Sequence, residues 1–236
     1  MQKDSILNII LVGVGLCIVC GAVISTVAVT LRDQQEQNVI FDQQSKIIDA
    51  ARLLEVYPSS QEALASIEEL VVNLNDGQPS SFPPQQYDLD SILRDPSQHI
   101  VLNGSEDIAM ISVRENLSKV YIEYRNNELK TLILPVRGYG LWGTLYGYLA
   151  LDSDLNTIVG LEFYKHKETP GLGAEVDNPN WKKLWNGKKV FDENGLVQIS
   201  VIKGFSNPQS TDYSYEVDGL SGACLLYTSD AADELC

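Results

Sequence analysis

The pattern of hydrophobic positions divides the chain into an apolar N-terminal run and a longer stretch of mixed character. Residues 6–31 contain no charged side chain, and this run exceeds the ~20 residues that an α-helix needs to cross a bilayer. It also exceeds the ~7–15 apolar residues of a cleavable signal peptide, which is the alternative interpretation. We therefore predict a transmembrane helix over residues 6–31. Lys3 precedes it, which favours a cytoplasmic N-terminus for residues 1–5.

Helical periodicity continues beyond the apolar run. An apolar stripe among glutamines and charges predicts an amphipathic helix over residues 34–54, continuous with the membrane helix. A second helix is predicted over residues 61–74, and the Pro- and Ser-rich residues 78–84 predict a loop. We assign residues 32–107 as a juxtamembrane helical region.

From residue 108 onward the pattern changes to short runs rich in β-branched and aromatic residues, which is typical of strands. Asn178 and Pro179 predict the start of a short helix whose buried face carries Trp181, Leu184 and Trp185. Strand pairs joined by short turns, with segregated helices, predict an α+β domain over residues 108–223 with a largely antiparallel sheet and flanking helices. The predicted strands cover residues 108–114, 119–125, 128–136, 145–152, 157–164 and 196–203.

Charge and cysteine placement exclude two classes of function. The chain carries 32 acidic and 17 basic residues, a net charge of −15, which opposes binding to the phosphate backbone of nucleic acids. The long middle of the chain contains no cysteine, so no thiolate metal site can form there. Cys17 and Cys20 form a C-x-x-C inside the apolar run, where packing is favoured over a metal or redox role.

Three short segments carry candidate chemistry. The glycine-rich residues 137–143 are either a phosphate-cradling loop or a turn, and the spacing favours a turn. Residues 168–175 read Glu-Thr-Pro-Gly-Leu-Gly-Ala-Glu, a loop in which two glycines allow the backbone to approach a flat, anionic ligand. Residues 218–223 read Asp-Gly-Leu-Ser-Gly-Ala, where small neighbours leave a hydroxyl accessible. His99 and His166 lack metal-ligand spacing.

Together, residues 135–142, 168–173 and 218–223 resemble the NqrC family, the C-type subunits of Na+-translocating NADH:quinone reductases, as do residues 25–33 next to the membrane. The resemblance follows the chain in order as far as Ala223 and includes the single N-terminal span. The same type of flavin-binding domain is shared with the G-type subunits of Rnf electron-transport complexes, which are the alternative family.

The resemblance implies a covalently attached flavin mononucleotide (FMN). In this family a flavin transferase joins the FMN phosphate to a threonine in the motif Ser-Gly-Ala-Thr. Here the fourth position of the motif is a cysteine, so the acceptor hydroxyl is missing. No catalytic acid or base is predicted. The implied cofactor-binding residues are Thr169, Leu172, Gly173, Glu175, Ser221, Gly222, Ala223 and Cys224, with Trp142 as a further candidate.

Residues 224–236 depart from the family pattern. They begin Cys-Leu-Leu-Tyr-Thr-Ser-Asp-Ala-Ala-Asp, which matches the translation of a transposon-end sequencing adapter. We interpret this stretch as an adapter artefact on a C-terminally truncated chain, which leaves the flavin domain incomplete.

The function implied by the resemblance is that of an electron-carrying FMN subunit. The complex would couple NADH oxidation and ubiquinone reduction to Na+ export, and this chain alone would be inactive. The implied partners are the other subunits of the reductase, the flavin transferase and the lipid bilayer. The implied location is the bacterial inner membrane, single-pass, with the main domain on the periplasmic side. The alternatives are the Rnf subunit and a membrane-tethered binding or assembly module without flavin, which the missing hydroxyl would favour.

Overall fold

The computed structural model describes residues 6–220, which fall into two compact units divided between Gln43 and Gln44. The first unit is the N-terminal part of helix α1, which runs from Ile6 to Ala50. From Ile9 onward its large apolar side chains are exposed, and α1 is long and apolar enough to cross a membrane. The predicted continuation of this helix past the apolar run is confirmed. The helix ends at Ala50, and Arg52 then adopts a left-handed backbone with φ of 53°.

The second unit is built around a five-stranded antiparallel sheet, which confirms the predicted α+β class. Its strand order is β1-β4-β5-β6-β7. The bounds are β1 Ile67–Asn73, β4 Leu117–Arg125, β5 Glu128–Tyr139, β6 Thr144–Asp152 and β7 Ile158–Lys165. Asn126 and Asn127 both have positive φ, as expected for the turn between β4 and β5.

Two small sheets and short helices complete this unit. Strands β2 His99–Val101 and β3 Val113–Glu115 pair antiparallel, and β8 Ser200–Ile202 pairs with β9 Glu216–Asp218 in parallel. The α-helices are α2 Ser60–Ala65, α3 Leu89–Arg94 and α4 Pro179–Lys182. Single 3-10 turns occupy Leu53–Glu55, Pro84–Gln86, Gly173–Asp177, Lys183–Trp185 and Tyr213–Tyr215.

The predicted helix over residues 61–74 is wrong beyond its first turn. Helix α2 ends at Ala65, and β1 follows and pairs with β4 along its whole length. Val71 is fully buried in this strand, so burial at β-branched positions overrides the helical spacing. The compact unit therefore begins at Gln44 and not at residue 108, and the juxtamembrane region is not wholly helical because it contains β1 and β2.

The predicted strand over residues 108–114 is also wrong before Val113. Met110 and Ser112 have φ of 50° and 63°, which a strand does not allow. The side chain of Asp107 accepts hydrogen bonds from the backbone N–H groups of Ile111 and Ser112 and folds this segment into a loop. In the later segment 196–203, only Ser200–Ile202 is a strand.

Apolar side chains cover both faces of the main sheet. Along β6 the alternation of side chains sends Tyr148 and Ala150 to one cluster and Leu149 and Leu151 to the opposite side. The first cluster includes buried residues from the C-terminal end of α1 and the turn after it, from Ile47 to Leu53. The second cluster lies under the loops that carry the candidate chemistry, and its buried members are Leu145, Leu161, Val176, Trp181, Val201 and Val217.

Candidate functional site

The three candidate segments meet over one buried cluster. Leu145 follows the glycine-rich hairpin, Val176 follows the loop of residues 169–173, and Val217 lies just before the Ser-Gly-Ala motif. Their side chains are 3%, 0% and 0% exposed. Segments that are far apart in sequence are therefore fixed on a common apolar base.

Residues 140–143 form the turn between β5 and β6, whereas residues 137–139 are the end of β5, so the predicted turn covers only the second half of the segment 137–143. Gly140 N donates to Gly143 O over 2.9 Å, and Gly143 has a φ of 149°. Leu141 and Trp142 at the tip are 43% and 62% exposed. The turn therefore presents a large apolar aromatic surface to the solvent.

The loop of residues 169–173 folds around one carbonyl. Thr169 O accepts hydrogen bonds from Leu172 N and Ala174 N, each over 3.1 Å. Gly171 has a φ of 76°, a conformation that favours glycine. The loop exposes Leu172, whose side chain is 50% accessible. The candidates Thr169 and Leu172 thus lie on an exposed, tightly closed turn.

Glu168 lies beneath both of these exposed segments. Glu168 is 9% exposed, and its Oε1 accepts a hydrogen bond from Trp142 N over 3.1 Å. A Cβ placed on Gly140 or on Gly173 would come within 3.0 Å of the Glu168 carboxylate. Gly173 was expected to provide close approach to a ligand, but its free side faces Glu168 and its backbone is outside the positive-φ region. Glu168 is part of the 168–175 motif, but the motif alone does not indicate that its side chain is buried.

The remaining candidate of this loop, Glu175, has a structural contact. Its Oε2 accepts a hydrogen bond from Asn178 Nδ2 over 2.7 Å, and Asn178 Oδ1 in turn caps α4 by accepting from Asn180 N over 2.9 Å. The predicted start of α4 is confirmed. On its predicted buried face Trp181 is buried, but Leu184 is 37% exposed, so that assignment was wrong for Leu184.

The segment that leads into the Ser-Gly-Ala motif is held at several points. Trp181 Nε1 donates to Asp218 O over 2.8 Å, and Asp218 Oδ1 accepts from Ser206 N and Oγ over 2.8 and 2.6 Å. Gly219 N donates to Gly204 O over 2.9 Å. The chain therefore reaches Leu220 in a fixed direction. The candidates Ser221, Gly222, Ala223 and Cys224 lie outside the described residues.

The described residues offer no cluster of histidine, cysteine, aspartate or glutamate that could hold a metal ion. His166 is part of the loop framework, since its Nε2 lies 2.7 Å from Asp177 Oδ2 and its Nδ1 accepts from Glu168 N over 3.2 Å. The site is thus an apolar surface on loops that are held in place by hydrogen bonds between polar groups. Such a surface fits a planar ring that binds by contact on its faces.

Comparison with known proteins agrees with this geometry. The FMN-binding domain family matches residues 140–234, a range that covers the hairpin tip, the loop and the Ser-Gly-Ala motif. The NqrC protein of the Na+-translocating NADH-quinone reductase from Pseudomonas aeruginosa is 44% identical over 239 residues, which cover 99% of this chain and 91% of that protein. The protein of the same name from Vibrio vulnificus is 41% identical and covers 95% of this chain.

The chain belongs to the NqrC family of Na+-translocating NADH-quinone reductase subunits. Solved structures of NqrC proteins share its fold. NqrC from Shewanella oneidensis superposes with a TM-score of 0.69 at 31% identity, over 78% of this chain and 84% of that one. The corresponding reductase subunit from Parabacteroides distasonis gives a TM-score of 0.61 at 28% identity, over 84% and 87% of the two chains. The adapter interpretation of residues 224–236 stays a prediction.

Proposed function

We propose that this NqrC-family chain carries FMN as an electron-transfer group within a membrane-bound Na+-translocating NADH-quinone reductase. The observation that carries the proposal is the meeting of the hairpin tip, the loop of residues 169–173 and the entry to the Ser-Gly-Ala motif over one buried cluster. The family match covers the same three segments. The relatives are named as subunits of this reductase, which supports the assignment to a multi-subunit complex.

The apolar side chains of Trp142 and Leu172 are the groups that would contact the flavin ring. Both are at least half exposed, at 62% and 50%, although exposed side chains of this size are costly in contact with water. Both belong to turns braced by Glu168. Thr169 adds a polar side chain at the same loop, and Glu175 fixes the end of the loop to α4.

Covalent attachment would take place just beyond the last described strand. Strand β9 and Gly219, which precede Ser221, Gly222 and Ala223 in the sequence, are held by hydrogen bonds. A threonine at position 224 would supply the hydroxyl for a phosphoester, and Cys224 offers a thiol instead. A phosphorothioester is more labile than an alkyl phosphoester, so we expect that the chain with Cys224 cannot retain flavin covalently.

Bound FMN would supply the capacity to accept and release electrons, while the protein holds and shields it. Trp142 and Leu172 would exclude water from the faces of the flavin ring, and the loops that carry them would keep these two side chains in position. No described residue of the site is placed as a proton donor or acceptor for the reaction. Binding and orientation are therefore the contributions of this chain.

Helix α1 supports a proposal for the membrane arrangement. We propose a single-pass protein of the bacterial inner membrane, with the second unit on the periplasmic side, in contact with lipid and with the other components of the reductase. The weak excess of positive charge before the apolar run supports this orientation. A reporter enzyme that is active only in the periplasm, fused after Arg32, should give activity, whereas activity from a cytoplasmic reporter alone would refute the orientation.

The flavin assignment is tested by attachment. A Cys224→Thr variant with a family-type continuation after position 224 is co-expressed with a flavin transferase, denatured and examined for flavin fluorescence on a gel. We expect a fluorescent band from this variant and none from the unaltered chain. Absence of fluorescence from the variant, with an active transferase confirmed on a known substrate protein, would refute the proposal and favour a membrane-tethered module without flavin. Fluorescence from the unaltered chain would show that the acceptor is misassigned.

A further inference from the structure

Glu168 differs from the exposed acids of this surface because it is buried directly under the candidate flavin site, at 9% exposure. Its two carboxylate oxygens face two glycines that are far apart in sequence. A Cβ on Gly140 would meet Oε1, and a Cβ on Gly173 would meet Oε2, in both cases within 3.0 Å. The two glycines therefore leave the space that the carboxylate fills.

A hydrogen bond ties this carboxylate to the Trp142 turn, and close packing against Gly173 places it against the other loop. Oε1 accepts from Trp142 N over 3.1 Å, across a separation of 26 residues. The backbone of Glu168 is fixed in turn, since its N–H donates to His166 Nδ1 over 3.2 Å and His166 Nε2 lies 2.7 Å from Asp177 Oδ2. A bond from a backbone N–H to an ionised carboxylate is stronger than a neutral one, so one side chain holds the hairpin tip against the loop.

We propose that Glu168 is a positioning residue that locks the Trp142 turn to the loop of residues 169–173 and so sets the spacing between Trp142 and Leu172. That this spacing serves a flavin rests on the proposed function. The lock itself is a property of the flavin-free protein. It predicts that the order of Trp142 depends on Glu168, although the two residues belong to different loops.

The test uses the full chain in detergent, labelled with 5-fluorotryptophan, and follows the 19F resonances of Trp142, Trp181 and Trp185. Hydrogen exchange at the Trp142 backbone amide is measured in parallel. Glu168→Ala should speed this exchange by about tenfold or more, the effect of losing one charge-assisted hydrogen bond, and should shift the Trp142 resonance. Glu168→Gln keeps an acceptor oxygen and should retain most of the protection.

Controls separate a local effect from unfolding. Glu193→Gln removes an exposed acid with the same substitution and should change neither readout. Unchanged resonances of Trp181 and Trp185 show that the core cluster is intact. If Glu168→Ala leaves both the exchange rate and the Trp142 resonance unchanged, the proposal is overturned. If Glu168→Ala perturbs the core resonances, Gly173→Ala decides, because it displaces the carboxylate without removing it. A Trp142 response with unchanged Trp181 and Trp185 resonances then supports the lock, and no Trp142 response overturns it.

A double-variant cycle tests the geometry directly. The three atoms nearest to a Cβ on Gly173 all belong to Glu168, and two of them are carboxylate atoms. Gly173→Ala alone should therefore disturb Trp142, and it should have a smaller effect in the Glu168→Ala background, where the carboxylate is gone and only the Cβ of residue 168, at 3.1 Å, remains. An equal effect of Gly173→Ala in both backgrounds would contradict the lock.

The flavin is examined separately, so that the two proposals can fail independently. In the Cys224→Thr protein with the continuation and transferase described above, Glu168→Ala should alter the visible circular dichroism of the bound flavin, and Glu193→Gln should not. Unaltered dichroism with a responsive Trp142 would limit the role of Glu168 to the flavin-free protein and overturn its link to the flavin. Loss of flavin from the parent protein would refute the proposed function, while the exchange and 19F results would still decide on the lock.

Discussion

The contact between the end of α1 and the main sheet gives a prediction that can be worked out from distances. Gly160 in β7 lies directly under the carbonyl of Ala50, and a Cβ at position 160 would come within 3.0 Å of Ala50 O. Ordinary van der Waals contact begins at 3.4 Å. Gly160→Ala therefore forces the strand and the helix end apart, because the atom it meets belongs to the backbone and cannot rotate away.

The cost follows from the packing around this contact. Ala50 and Ala150 are 0% exposed in the same cluster, so a shift of the helix end opens gaps elsewhere. Overpacking of a filled core costs about 1–3 kcal/mol, and a clash between two backbones belongs at the upper end. For a unit of this size about 3 kcal/mol corresponds to a fall in Tm of about 6–12 °C.

The assay is thermal unfolding of the full chain in detergent, followed by near-ultraviolet circular dichroism. Gly104→Ala is the matched control, since a Cβ there meets nothing within 4 Å and the backbone is outside the positive-φ region. The control should keep the Tm of the parent or raise it slightly. If the Tm values of Gly160→Ala and Gly104→Ala agree within experimental error, the close approach of Ala50 to β7 is wrong.

Three further predictions concern the site and its surroundings. Trp181→Phe removes the hydrogen bond from Nε1 to Asp218 O and should reduce flavin attachment in the Cys224→Thr protein. Trp185→Phe removes an indole N–H that has no partner among the described residues, so it should reduce flavin attachment less. Gly173→Val should weaken flavin retention or shift its absorption, because the branched side chain displaces the carboxylate beneath the loop; an unchanged spectrum would count against it. Burial, together with the nearby carboxylate of Glu115, raises the pKa of Tyr87 to about 12. The contribution of this tyrosine to the free energy of unfolding is therefore complete below pH ~10 and lost as the pH rises towards 12. Over that range the unfolding midpoint of Tyr87→Phe should fall less steeply than that of the parent protein.

Much of the fold could be predicted because the deciding signals are local. An uncharged apolar run, the Asn126 and Asn127 turn, and the Asn178 cap before a proline each act within a few residues. One error occurs where a distant strand decides, and the other where a side chain four or five residues away competes with the strand pattern. Residues 67–73 carry a helical pattern but pair with β4, and Asp107 turns a β-rich segment into a loop by capturing two backbone N–H groups. Neither partner can be identified from spacing along the chain.

In the candidate site, too, local backbone signals could be predicted from the sequence, whereas contacts between separate loops could not. The sequence located the loop of residues 169–173 and the approach to the Ser-Gly-Ala motif, because glycine, proline and small residues restrict or free the backbone locally. It did not indicate that Glu168 would lie against Gly173, on the side where a Cβ would stand. A buried carboxylate needs donors to offset the loss of its hydration, and its donor comes from Trp142 on another hairpin. The motif that predicts a ligand-binding loop therefore also contains Glu168, the residue that supports this loop from beneath. Substitutions within it can disturb flavin binding through the Trp142 turn even when the altered side chain never contacts the flavin, and this is why Glu168 and Gly173 have to be varied together.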